Sequence, residues 1–252
     1  MEDQVRVIDR VFDILEQLAQ ADSPMTLAEL CKATEMSKST VHRLLSSMCA
    51  RQYVEKRSDN TYAIGYKLVE TVSTHINGLE LLTESKPFLS QISHELELTT
   101  HLGILDHHDV IYIEKMDLYP NTRLYTQVGY RSPAYCSSIG KCLLACLSGD
   151  ELEEALYRCE FQKFTPNTIT DLRELKRVLR VVRKQGWAMD NEEYQLGHRC
   201  VGAPIFDYRG TAVAAVSASG SIEMLSDDRL DLVISQVRKA AQDISRRMGY
   251  VE

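Results

Sequence analysis

Apolar positions recur at helical spacing through the first fifty residues of the chain, broken at two places. Val5, Ile8, Val11, Phe12, Leu15 and Leu18 lie on one helical face, and Asp22-Ser23-Pro24 ends that run. Thr26 and Glu29 form a T-x-x-E capping box that opens a second helix. Met36-Ser37 interrupts it, and Ser37 caps a third helix with Val41, Leu44, Leu45 and Met48 on one face. The opposite face carries Lys38, Ser39, His42, Arg43, Ser46 and Ser47, short hydrogen-bonding side chains with two cations. Tyr53-Val54 and Tyr62-Ala63-Ile64 then flank the turn residues Ser58-Asp59-Asn60, which predicts a β-hairpin. Two short helices, a polar-faced helix and a hairpin are the order of a winged helix-turn-helix over residues 1–65.

Leu68, Val69, Val72 and Ile76 share one side of a further helix from Tyr66 to about Asn77, a linker over residues 66–79 whose apolar side requires a covering partner. Residues 80–252 read as a second domain. Its first helix runs from about Leu81 to Glu97 with Phe88, Leu89, Ile92 and Leu96 toward the core, and Pro87 is expected in the first turn of a new helix. The period then changes to two. THLGILD and VIYIEKM form a hairpin about His107-His108-Asp109, and RLYTQVG, residues 123–129, is a third strand. Helices follow at Ile139–Leu147, Asp150–Tyr157 and Leu172–Gln185, the last stopped by Gly186. Strands at Val201–Phe206 and Ala212–Ser219, joined by Asp207-Tyr208-Arg209-Gly210, precede a final helix from Ser226 to Met248. The fold class is α+β with a mainly antiparallel sheet flanked by helices.

Charge sharpens the picture at one place. The whole chain carries −7, yet between Ser37 and Arg57 five cations (Lys38, Arg43, Arg51, Lys56, Arg57) face the single anion Glu55. A local +4 within an acidic chain marks where phosphates would lie. No apolar run approaches the ~20 residues that span a bilayer, and MEDQVRVIDR is not a signal peptide, so a cytoplasmic protein is expected. Seven cysteines without a C-x-x-C pair read as reduced structural thiols.

Enzyme chemistry finds little purchase. Gly140-Lys141 lacks both the upstream glycine and the following Ser or Thr of a phosphate loop. His101, His107 and His108 lack further ligands at metal spacing. Cys200 with His198 and Asp190 suggests a nucleophile, but the histidine two residues away is expected on the opposite strand face, which sets a dyad aside. No catalytic residue, cofactor or metal is assigned. A binding reading fits better, because small polar residues before the apolar helix at Ile139 leave free amides at Ser138 to Gly140 for a carboxylate. Ser217 and Ser219 alternate with Val216 and Ala218, which places both hydroxyls on one side of a strand; a solvated sheet face is the plain alternative.

These stretches carry a resemblance. SKSTVHRLL with YVE, THLGILD, YIEK, IGKCLLA, GWAMDNEEYQLGHRCVGAPIFD and VSASGS resemble, in order and spacing, the IclR family of bacterial transcription regulators along nearly the whole chain. Within it the chain is most similar to the KdgR-type regulators of sugar-acid catabolism. The resemblance implies a GAF-like effector-binding domain over residues 80–252 and a homodimer or dimer of dimers on palindromic operator DNA. It implies DNA-facing residues Thr26, Ser37, Lys38, Ser39, Thr40, His42, Arg43 and Ser46, with Arg57 on the wing. It also implies an effector pocket of Leu124, Ser138, Ile139, Asp190, Cys200, Ser217 and Ser219. Asn121, Ser132, Ser138 and His198 stand where some members have small or apolar residues, which suggests a hydroxylated acid as effector. The expected function is a repressor of sugar-acid (2-keto-3-deoxygluconate-type) genes relieved by a small carboxylate. The rivals are an activator, an enzyme in residues 80–252, and a plain protein-interaction module.

Overall fold

The computed structural model describes residues 6–77, 80–117 and 127–251. Leu124, Asn121 and most of the strand expected at 123–129 lie outside them. The chain divides into two compact units, Met1–Gly78 and Leu79–Glu252.

In the first unit, helix α1 (Arg6–Gln20) buries Ile14 and Leu18. A two-residue strand β1 (Met25–Thr26) leads into α2 (Leu27–Ala33). Thr26 and Glu29 form the capping box, the Thr26 amide donating to Glu29 Oε2 at 2.7 Å and the Glu29 amide to Thr26 Oγ1 at 3.3 Å. Helix α3 (Lys38–Ala50) starts at the Ser37 cap and buries Val41, Leu44, Leu45 and Met48. Strands β2 (Val54–Lys56) and β3 (Thr61–Ile64) make the hairpin, and β1 pairs with β3 in a three-stranded sheet of order β1-β3-β2. At the hairpin tip Asn60 adopts φ 64°, while Asp59 accepts from the Thr61 amide and hydroxyl at 3.0 and 2.6 Å. Ile14, Leu30, Leu45, Val54 and Tyr62 close one small core. Gly65 is required where the chain leaves β3, because a Cβ there would stand 2.1 Å from the Gln52 carbonyl oxygen at the end of α3. Helix α4 (Tyr66–Asn77) follows, with Leu68 half-buried and Val69 exposed.

The second unit opens with α5 (Glu80–Leu96), and here the structure corrects an expectation. Pro87 lies inside one continuous helix rather than in the first turn of a new one. Its ring removes the hydrogen bond to the Thr83 carbonyl. Both residues are exposed, so water can meet that carbonyl. Phe88 is only half-buried; Leu81, Leu82, Leu89, Ile92 and Leu96 form the buried side. Strands β4 (Thr99–Asp106) and β5 (Asp109–Met116) turn through His107 and His108. The strand that pairs with β5 on its other side is β6 (Arg131–Pro133).

One turn of 3-10 helix leads into α6 (Ser138–Cys146), in which every residue from Ser138 to Ala145 is buried. Helix α7 (Gly149–Ala155) has its own capping box from Ser148 and Glu151. Helix α8 (Leu172–Gln185) is capped by Asp171 and ends at Gly186 in the left-handed conformation, φ 75°. Then come β7 (Ala188–Asn191), β8 (His198–Phe206), β9 (Ala212–Ser221) and α9 (Asp227–Arg247). The six strands run in the order β6-β5-β4-β9-β8-β7, every neighbouring pair antiparallel. Thr100 donates to the Leu89 carbonyl at 3.0 Å, which marks the sheet face that meets α5. Residues alternate across a strand, so His101 faces the other way, toward α6.

Candidate functional site

The side chains singled out in the sequence fall into two groups, one on each unit. On α3, Lys38, Ser39, His42, Arg43, Ser46 and Ser47 are all exposed, and neither Lys38 nor Arg43 has an ion pair among the described residues. Thr40 is half-buried, its hydroxyl 2.9 Å from Ser37 Oγ, and Ser46 Oγ donates to the His42 carbonyl at 2.8 Å. Ser37 and Thr26 spend their hydroxyls on capping α3 and α2. Arg57 is exposed beside the hairpin turn, its amide bound to the Thr61 carbonyl at 2.8 Å.

The second group lines a cavity of about 60 Å³ in the sheet face beneath α6. On the scale where one water needs about 10–15 Å³, it holds roughly four to six waters. Strand pairing builds its floor. Asp190 on β7 sits opposite Cys200 on β8, Cys200 opposite Ser219 on β9, and His101 on β4 opposite Ser217. Ser219 Oγ is 3.3 Å from His101 Nδ1. Five of the seven predicted effector residues, Ser138, Asp190, Cys200, Ser217 and Ser219, line this one cavity, as do Ser132 and His198. Ile139 is buried but is not in the lining. His101, Tyr112, Tyr130, Ser137, Tyr194 and Gln195 complete it, none of them read from the sequence as lining. The Tyr130 and Tyr194 hydroxyls are 2.6 Å apart, and Tyr112 meets the His101 ring edge-on.

The helix terminus differs in detail from the expectation. The helix begins at Ser138 rather than Ile139, with Ser137 as its cap, whose hydroxyl takes the Gly140 amide at 3.0 Å. Of the three amides expected to be free, only those of Ser138 and Ile139 remain without an intrahelical partner. Gly202 on β8 admits this terminus, since a Cβ there would stand 3.1 Å from the Ser138 carbonyl carbon and 3.2 Å from the Ile139 nitrogen.

A second correction concerns Cys200 and His198. Residues two apart on a strand share a face, so the expectation of opposite faces was wrong, and Cys200 Sγ lies 3.7 Å from His198 Nδ1. They still do not form a catalytic pair. Burial pushes the Cys200 thiol well above its ordinary range, so the thiolate nucleophile is absent at neutral pH.

Burial also lowers His101 to about 3 and moves His198 downward, leaving both rings neutral. It raises Asp190 to about 7, against the opposing pull of Lys141. Lys141 is fully buried in α6, where it donates to the Met189 carbonyl and pairs with Glu193. Glu193 in turn gives its amide to Asp190 Oδ1 at 2.7 Å. The cavity therefore presents hydroxyls, a helix N-terminus and one carboxyl poised between its two protonation states. Among the described residues no cluster of His, Cys, Asp and Glu could hold a metal ion. A larger open groove of about 860 Å³, bordered by Cys146, Arg183 and Arg238, contains none of the predicted residues.

Comparison with known proteins follows the same division of the chain. Residues 7–58 match the IclR helix-turn-helix domain, and residues 73–246 match the family described as bacterial transcriptional regulator IclR, C-terminal. The HTH-type transcriptional regulator KdgR of Escherichia coli is 35% identical over 249 residues, covering 98% of this chain and 94% of that one. The transcriptional repressor IclR of Escherichia coli is 31% identical over 249 residues, covering 98% and 91%. The crystal structure of Thermotoga maritima IclR superposes with a TM-score of 0.86 at 31% identity, covering 98% of this chain and all (100%) of that one.

Proposed function

Because this chain belongs to the IclR family of bacterial transcriptional regulators, we propose that it is a repressor whose operator grip is released by a small carboxylate from sugar-acid breakdown. The effector is of the 2-keto-3-deoxygluconate type. The arrangement of the cavity carries this reading: amides without an intrahelical partner at the start of α6 and the hydroxyls of Ser217 and Ser219 can receive a carboxylate. Asp190 faces the ligand's hydroxyls, and Cys200 supplies a small soft wall. The resemblance to KdgR-type regulators of sugar-acid catabolism supports the class of acid, and similarity to the transcriptional repressor IclR supports the sign of regulation. In the helix-turn-helix DNA-binding domain, Lys38, Ser39, Thr40, His42, Arg43 and Ser46 on α3 face the major groove, and Arg57 grips a phosphate. Thr26 and Ser37, at the starts of α2 and α3, fix the entry of both helices. The working form is a homodimer, or a dimer of dimers, on a palindromic operator in the cytoplasm. An enzyme in the second unit draws no support from Cys200, whose thiol keeps its proton.

A thermal-shift screen of sugar acids and keto acids, repeated with operator-length DNA, tests the reading. At least one acid should raise the melting temperature, and DNA should reduce that rise. Turnover of the acid that binds would favour an enzyme instead.

A further inference from the structure

Helix α8 carries six cations and a single anion, Glu174, in fourteen residues, a local +5 in a chain of net −7. Leu175, Leu179 and Val182 form its buried side. At about 100° per residue, Arg173, Arg177, Arg180 and Lys184 fall within an arc of about 60° opposite that side. All four are exposed. The two other cations lie nearer the buried side and are committed: Lys176 pairs with Glu153 of α7 at 3.1 Å, and Arg183 donates to the Ala145 and Leu147 carbonyls at the end of α6. Of the four on the stripe, only Arg177 has an ion pair among the described residues, an exposed one with Glu174 at 3.0 Å. Arg180 donates from Nε to the Lys176 carbonyl at 3.3 Å, which leaves its charge unneutralised.

This spacing does not favour the free helix. Arg173 and Arg177, Arg177 and Arg180, and Arg180 and Lys184 stand three or four residues apart, where like charges repel, and Arg173 in the first turn opposes the helix dipole. A local rule broken on an exposed face points to a use for that face. A polyanion relieves the repulsion. The stripe runs eleven residues, about 16.5 Å, close to the axial rise of five nucleotides in one strand of a duplex. It contains no apolar side chain, whereas the centre of a protein–protein interface is depleted in charge. Nucleic-acid phosphates fit such a stripe, and a second copy of this chain does not. The operator duplex supplies them: with the helix-turn-helix on DNA the second unit is tethered to the same duplex, so contacts too weak to hold alone become intramolecular.

We propose that α8 is a second DNA-contacting element, whose Arg173, Arg177, Arg180 and Lys184 grip phosphates flanking the operator half-sites without reading bases. It rests on operator binding by the first unit and extends the contact to the second. Anisotropy of the full chain, repeated over a range of salt concentrations, compares two duplexes carrying the operator recovered by binding-site selection. One ends at the half-sites, and the other continues for about three helical turns on each side. Wild type should bind the longer duplex more tightly and with the steeper salt dependence. The triple variant Arg173→Ala, Arg180→Ala, Lys184→Ala should lose that difference, its log–log salt slope on the longer duplex falling by about 3 for each chain in contact, and should match wild type on the short one. The double variant Arg173→Lys, Arg180→Lys, which keeps the charge, should behave as wild type. Equal weakening of both duplexes by the triple variant would overturn the proposal, as would an unchanged slope on the longer one. Fewer chains per particle for the triple variant, by light scattering without DNA, would assign the stripe to a second copy of the chain and overturn it too. If selection recovers no operator, the DNA reading of the first unit falls together with this one; if wild type binds both duplexes with the same affinity and slope, only this one falls.

Discussion

Asp190 and Lys141 divide the electrostatics of the cavity. Burial raises the Asp190 carboxyl to about 7 even though Lys141, paired with Glu193, pulls it the other way. Its carboxyl is raised above the ordinary 3.8, so the stability it contributes is present below about pH 4 and is lost as pH rises through about 7. Asp190→Asn removes that loss. The variant should melt higher than wild type at pH 8 and at the same temperature at pH 4, measured by calorimetry. An anionic ligand adds a second negative charge beside the first, so binding should take up a proton at Asp190. Wild-type affinity for the acid should therefore fall from pH 6 to pH 8, and Asp190→Asn should flatten that dependence. Ser217→Ala and Ser219→Ala each delete a neutral hydrogen bond, about 0.5–1.5 kcal/mol, and should each raise the dissociation constant several-fold. The alternation at Ser217 and Ser219 was legible as one strand face, and only the family resemblance proposed that face as a site. Tyr112, Tyr130 and Tyr194 come from three separate segments, and no local pattern announces that they meet.

Helix α3 carries the DNA reading because its buried and exposed faces separate cleanly. Arg43 is mid-face, so Arg43→Ala should lower operator affinity by about 1–3 kcal/mol and relax preference at one position per half-site. Arg57→Ala should weaken all sequences alike. Binding-site selection followed by anisotropy at fixed salt distinguishes the two outcomes. Elements with a cap or a clean period, such as α3 with Ser37 and α8 with Asp171 and Gly186, were legible to within a residue or so. The short strands β1 and β7 were not, because two and four residues leave no period to read. Helix α6 is buried along nearly its whole length, so its sequence shows an apolar run without revealing which side meets the sheet. Pro87 misled because proline inside a helix forfeits a hydrogen bond and crowds the carbonyl four residues back, yet here Thr83 is exposed and water can meet its carbonyl.

At the scale of the molecule, the proposed function requires that a ligand in the second unit change what the first unit does. A ligand can do so only by the difference in its affinity for two states of the protein. The proposed two-fold dimer would place two α3 helices at half-sites about 34 Å apart, or a multiple of that, so the selected operator should be an inverted repeat. Light scattering on the protein–operator complex should give two or four chains per duplex. The most direct test of the whole account is anisotropy of that operator titrated with full-length protein, with and without 2-keto-3-deoxygluconate. It compares wild type with the double variant Ser217→Ala, Ser219→Ala. Both proteins should bind DNA equally without the acid; saturating acid should weaken wild type at least about fivefold, and the double variant should need about tenfold more acid for the same release. Release of the double variant at the wild-type acid concentration, or wild-type affinity unmoved by saturating acid, would contradict it.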